Sequence, residues 1–144
     1  MVPPRPGWLV VLFAAVISVS GWLPWLTTDA EGGGRASAIG GTRGSLVLPP
    51  HFGEGQLIVL LASALIVAGA MTARGLSARI SAVAALAISL LIGVLTASYY
   101  HVNVHPPLAV GYGFFIGAAA CGGAVICSLW AVAAALSAAR GKRR

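Results

Sequence analysis

The sequence predicts an all-α membrane protein: a bundle of four transmembrane helices with a glycine-rich outer loop able to hold a short β-hairpin. Three observations predict it. Of 144 residues, 58% are hydrophobic and only 8% charged, where soluble domains carry about 25% charged residues, and the mean hydropathy is +0.93. The nine basic and three acidic residues cluster between long uncharged stretches instead of alternating with apolar ones. One of those stretches is too long for a single span and contains its own break. The net charge of +6 therefore need not mark a nucleic-acid-binding face, and no nucleic acid is expected as a partner. Two cysteines fall short of a disulfide framework or a four-cysteine zinc site, and no cofactor is expected.

Helix 1 is placed at about 8–27, inside the uncharged run from Trp8 to Thr28, because about 20 residues at 1.5 Å each cross a hydrocarbon core of about 30 Å. Pro24 near its end is tolerated there. A cleaved signal peptide cut after Ser20 is the rival, but the apolar run continues through Trp22, Leu23, Trp25 and Leu26, which favours a span. Helix 2 takes about 56–73 and is followed by a short loop, 74–79, holding Arg74 and Arg79. From Ile80 to Ala139 no Asp, Glu, Lys or Arg occurs, and one helix of that length would reach about 90 Å. It must fold back at His101-Val102-Asn103-Val104-His105-Pro106-Pro107, where the prolines remove backbone donors and push the preceding residue out of helical geometry. Helices 3 and 4 are thus expected at about 80–100 and 110–138, with loops at 28–55 and 101–109 and a basic tail at 139–144, all in one membrane domain spanning 1–144.

Short-loop Lys and Arg set orientation. Arg5, Arg74, Arg79, Arg140, Lys142, Arg143 and Arg144 fall on one side, and only Arg35 and Arg43 on the other, with Asp29, Glu31 and Glu54. Both termini are expected to be cytoplasmic and the loops 28–55 and 101–109 external, in a plasma (inner) membrane. The tail is worth about 1 kcal/mol per basic residue toward anionic headgroups, so membrane lipid is one expected partner. Trp8, Trp22, Trp25, Tyr99 and Tyr100 are expected as interface anchors.

Small residues recur every four positions on helix 3 as Ser81, Ala85, Ser89, Gly93 and Ala97, and on helix 4 as Gly113, Gly117 and Cys121, then Ala124 and Ser128. In lipid such grooves let helix backbones approach closely and gain van der Waals contact. Packing of helix 3 on helix 4 is the expected use; receiving a helix from a partner, or from a second copy in a homo-oligomer, is the alternative. Cys121 and Cys127 are six residues apart on one helix, about 240° around its axis, so they cannot pair and are expected as small packing residues.

Proton-coupled pumps generally need ionisable groups inside the membrane, and none of the spans has a charged residue. Small multidrug transporters have four helices at this length but a Glu embedded in the first, which is missing here. The first loop is long and glycine-rich, which marks it as functional or disordered; Ala36–Ile39 and Ser45–Leu48 are expected to pair as a hairpin across the glycine-bearing turn GGTRG at 40–44. His51, His101 and His105 all fall on the outer side, where they are candidate metal ligands or pH-responsive groups; solvated loop histidines are the plainer expectation.

The segments PGW at 6–8, GWLPWLTT at 21–28, IGGTRGSL at 39–46, FGEGQLIVLLASALIVAGAM at 52–71 and YYHVNVHPP at 99–107 resemble a family of small four-helix transmembrane proteins of mycobacteria and related actinobacteria. The resemblance covers nearly the whole chain and implies a multi-pass protein of the bacterial plasma membrane, with no catalytic or binding residue to carry over. Claudin-like proteins share a four-helix topology, but their paired loop cysteines are absent. By subtraction, the expected function is that of a non-enzymatic accessory or scaffold protein binding another membrane or cell-envelope protein. A small transporter or transporter subunit using Ser63, Thr72, Ser81, Ser89 and Thr96, and an envelope sensor of pH, metal or stress using the three histidines, are the alternatives.

Overall fold

A computed structural model describes residues 5–28, 34–37, 42–44, 54–103 and 108–142. Among them the chain is mostly helical, in the order α1 (Pro6–Ser20), β1 (Pro24–Thr28), β2 (Gly34–Ser37), β3 (Thr42–Gly44), α2 (Glu54–Ala73), α3 (Ala78–Asn103), β4 (Leu108–Val110) and α4 (Tyr112–Lys142). Three stretches are long and apolar enough to cross a membrane: Gly55–Ala73, Ala78–His101 and Tyr112–Ala138. The helix α1, at 15 residues, rises only about 22 Å.

Helix α1 starts where Arg5 is extended and Pro6 takes the first helical turn, a position where its missing N–H costs nothing. It stops seven residues before the expected end. Trp22 N–H bonds Val19 O at 3.1 Å and Leu23 N–H bonds Ser20 O at 3.0 Å, a tightening of the last turn, and Pro24 cannot continue the ladder. What was expected as the end of a helix is instead strand β1. Between α2 and α3, Leu76 N–H reaches back to Met71 O (2.9 Å) and Gly75 N–H to Thr72 O (3.2 Å), with Gly75 at φ +75°. That is a Schellman cap, which favours glycine at the left-handed position, and it shortens the expected loop 74–79 to 74–77.

Helix α3 continues through His101 to Asn103, past the expected end at 100, because Pro106 restrains the residue before it and not those three or more earlier. The expected basic tail is also helical as far as Lys142.

All four strands form one antiparallel sheet, ordered β3-β2-β1-β4. The hairpin expected from the glycines is present but displaced: Arg35 pairs with Arg43 and Ala36 with Thr42, so TRG at 42–44 is strand and not turn. The reason is a template. β1 pairs Thr27 with Arg35 on one side and with Ala109 on the other, so the register of β2 follows the strand leaving α1.

The helices pack in a ring, α1 on α2, α2 on α3, α3 on α4 and α4 on α1. The α1–α2 contact is backbone to backbone: a Cβ on Gly7 would stand 2.6 Å from Gly69 O. Arg5 Nη1 donates to Ala73 O at 2.7 Å, satisfying a carbonyl at the end of α2. Gly123 of α4 lies against the Phe13 ring and Gly117 against Ser20, so α4 runs antiparallel to α1. One end of the ring thus carries Arg5, Arg74, Arg79 and Arg140, and the other carries the sheet. Large apolar side chains such as Leu12, Leu60, Val67, Val83, Val94 and Ile126 are more than half exposed, as a lipid-facing surface requires.

Candidate functional site: the sheet-capped end and the cleft beside it

The chemistry of the sheet end begins with a bulge. Pro24 pairs with Ser37 and Leu26 with Ala36, leaving Trp25 as the extra residue. Successive strand side chains ordinarily point to opposite faces, and a bulge re-aims one of them. Trp25 and Leu26 are accordingly both buried, at 1% and 0% exposure. The indole meets Tyr99 edge-on at 5.1 Å and Phe114 edge-on at 5.3 Å, and its Nε1 donates to Ser20 O at 2.7 Å. Gly117 makes room for it, since a Cβ there would lie 2.9 Å from Trp25 Cζ2. Gly111 crowds the Pro24 carbonyl and donates its N–H to Trp25 O at 2.8 Å. The sheet is therefore pinned to α1, α3 and α4 through one side chain.

Trp25 and Tyr99 were expected at the membrane interface, and the structure turns both inward. The other three expected anchors remain outside, with Trp8, Trp22 and Tyr100 exposed.

The small-residue stripes divide in the same way. Ser81, Ala85 and Ser89 are buried; Ser81 Oγ accepts from Thr72 Oγ1 of α2 at 3.0 Å, and Ser89 O accepts from Cys121 Sγ at 3.4 Å. Each four-residue step overshoots a full turn by about 40°, so the stripe rotates away. Gly93 is half-buried and Ala97 exposed, while Ile92, Thr96 and Tyr99 continue the buried face. On α4, Gly113 and Gly117 face Leu23, Pro24, Ser20 and Trp25, not α3 as expected; Cys121 and Ser128 are the residues of that stripe that meet α3, both at Ser89. Gly7, Gly69 and Gly123 are close-contact residues that a search for repeated spacing misses. A signal for the last was present: two adjacent glycines at 122 and 123 inside a helix cost about 1 kcal/mol each relative to alanine.

Buried hydroxyls are spent internally. Ser20, Ser81, Ser89 and Thr96 donate to the carbonyls of Ile17, Ser77, Ala85 and Ile92 at 2.6–3.1 Å, and Ser128 Oγ meets Ser89 Oγ at 3.4 Å. Such back-bonding satisfies a hydroxyl within its own helix. His101 is exposed on the last turn of α3; His51 and His105 lie outside the described residues. Among the described residues no three His, Cys, Asp or Glu side chains come together as a metal site would require.

Between α3 and α4, beside the Trp25 cluster, runs an apolar cleft of about 760 Å³. Its α3 wall is Gly93, Thr96, Ala97, Tyr100 and His101, and its α4 wall includes Phe114, Ala118, Cys121, Gly122 and Ile126. The last stripe residues, Gly93, where a Cβ would stand 3.6 Å from Cys121 Sγ, and the exposed Ala97, are thus the ones that open it. Gly122 points into free space, with nothing within 4 Å of the position of a Cβ. Tyr100 and Phe114 meet across the sheet end of the cleft at 5.8 Å.

Compared with known protein families, with curated proteins and with solved structures, the chain matches none.

Proposed function

We propose that this protein is a non-enzymatic accessory or scaffold component of the plasma membrane, crossing it four times, that docks another membrane or cell-envelope protein on its outer sheet. The observation that carries this is the anchoring of the sheet by Trp25. A glycine-rich connection left free would pay ordering entropy on binding; here part of it is built into a four-stranded sheet fixed to three helices. Among the described residues β3 is an edge strand, and an edge strand offers backbone donors and acceptors to an incoming strand.

The fourth span is supported by where α1 lies. Phe13 meets Gly123 and Ser20 meets Gly117, so α1 runs alongside the middle of α4, the longest apolar helix. If α4 crosses the bilayer, α1 is carried with it, and the non-helical β1 is tolerated at that depth because protein surrounds it. Exposed Tyr112 and Trp130 are 18 residues apart on α4, about 27 Å, close to the thickness of the hydrocarbon core. The clustering of Arg5, Arg74, Arg79 and Arg140 at one end supports a cytoplasmic placement of the termini.

Affinity purification after cross-linking in native membranes tests the function. A stoichiometric partner that is lost on deleting residues 32–46 is expected. Recovery of the protein alone, together with solute flux in proteoliposomes, would overturn the proposal. Orientation is checked on the same preparation, with Ser37→Cys labelled by an impermeant maleimide from outside and Lys142→Cys only from inside.

A further inference from the structure

The cleft between α3 and α4 has the size, depth and polarity of a site for one lipid chain, and we propose that it binds a single acyl chain of a bilayer phospholipid, with the phosphate headgroup at Tyr100 and His101. This rests on α3 and α4 lying in the bilayer and not on the docking of a protein partner. A volume of about 760 Å³ falls within the roughly 300–1,000 Å³ usual for small-molecule sites. Along α3 the lining runs from Gly93 to His101, and along α4 from Phe114 to Ile126, about 12 Å and 18 Å at the helical rise. One leaflet is half of a hydrocarbon core of about 30 Å, or about 15 Å. The α3 wall is therefore a little shorter than one leaflet, and the α4 wall reaches somewhat past it.

Polarity runs the same way as in a lipid. Inside, the two polar lining groups are already committed: Thr96 Oγ1 donates to Ile92 O at 2.7 Å and Cys121 Sγ to Ser89 O at 3.4 Å. At the sheet end the exposed Tyr100 and His101 bring a phenol O–H and an imidazole N–H, donors suited to phosphate oxygens, which only accept. A transmembrane helix fits less well. It is about 10–12 Å across with side chains, whereas this cleft is bounded by only two helices and Tyr100 and Phe114 meet over its mouth at 5.8 Å. A flexible chain entering sideways between the helices avoids both obstacles.

The test uses the full chain in mild detergent, delipidated, then incubated with dipalmitoyl-phosphatidylglycerol or with dipalmitoylglycerol, the bound molecules being counted by native mass spectrometry. Gly122→Leu fills the cleft where nothing stands within 4 Å and favours the helix; Ala97→Phe fills it from the opposite wall. Ala87→Leu, on an exposed face of α3 away from the cleft, is the control. The wild type and Ala87→Leu should each retain one phospholipid per chain, both filling variants should retain at least tenfold less, and His101→Leu should erase the preference for phosphatidylglycerol over dipalmitoylglycerol. No retained lipid on the wild type, or equal retention by the filling variants and the control, overturns the proposal. So does a wild-type dimer that Gly122→Leu dissociates with lipid retention unchanged, which would give the cleft to a second copy.

Discussion

Two tryptophans three residues apart should respond very differently to truncation. Trp22 is 72% exposed and Trp25 1% exposed, although the sequence presents both as interface aromatics. Trp25→Ala removes a side chain that buries about 150–250 Å², leaves a cavity lined by Tyr99, Phe114 and Gly117, and breaks two edge-on ring contacts and the bond to Ser20 O. Truncations of this kind cost about 3–5 kcal/mol, cavity term included. Two ring pairs at about 0.5–1.5 kcal/mol each and a hydrogen bond of about 1 kcal/mol account for much of that without any transfer from water, so the cost should persist in a membrane mimic. Trp22→Ala touches no such neighbour and should stay within about 0.5 kcal/mol. The measurement is reversible unfolding in mixed micelles with increasing SDS, followed by far-UV circular dichroism so that no tryptophan signal is needed. Trp25→Phe, which keeps an aromatic edge and loses the N–H, should fall between the two. Equal shifts for Trp25→Ala and Trp22→Ala would refute the buried anchor and return Trp25 to the interface.

The helix glycines divide just as sharply. Gly7→Ala places a methyl 2.6 Å from Gly69 O and should cost about 1–3 kcal/mol by forcing α1 from α2, whereas Gly122→Ala meets nothing and should stabilise by about 0.5–1 kcal/mol; the same SDS titration reads both, and like signs would contradict the packing. Cys121 and Cys127 are buried and unpaired with each other, so a maleimide should modify neither in the folded protein and both after SDS unfolding, as counted by intact mass. Rapid labelling of the folded protein would contradict the burial of these thiols.

Much of the helical layout is legible because its causes are local. Uncharged runs bounded by Arg74, Arg79 and Arg140, and the prolines at 106 and 107, mark the helices within a few residues. The sheet is another matter. Its central strand lies inside an apolar run whose hydropathy is that of a span, and only Pro24 hints at the change. What decides it is non-local: the crevice left by Gly111, Gly113 and Gly117, some ninety residues later, fits Leu23, Pro24 and Trp25, and β4 supplies the second partner for β1. The hairpin register is misread for the same reason, since β1 and not the glycine turn sets it. The four-residue stripe on α3 is visible in sequence, but its division into a buried half and a cleft-lining half depends on accumulated rotation.

Phe114 joins the two proposed activities of the molecule. One ring packs edge-on against Trp25, which holds the sheet, and the same residue lines the cleft and meets Tyr100 at its mouth. The sheet and the cleft are thus walls of one aromatic cluster, yet they can be perturbed apart. Deleting residues 32–46 removes β2 and β3 while leaving the pairing of β1 with β4 and the burial of Trp25, so a lost partner with retained lipid would mark the sheet alone. Gly122→Leu lies two turns of α4 away from Phe114 and touches no strand, so lost lipid with a retained partner would mark the cleft alone. Loss of both from either change would instead mean that the cluster transmits the disturbance, and Trp25→Phe, acting at the shared ring, should then impair both together.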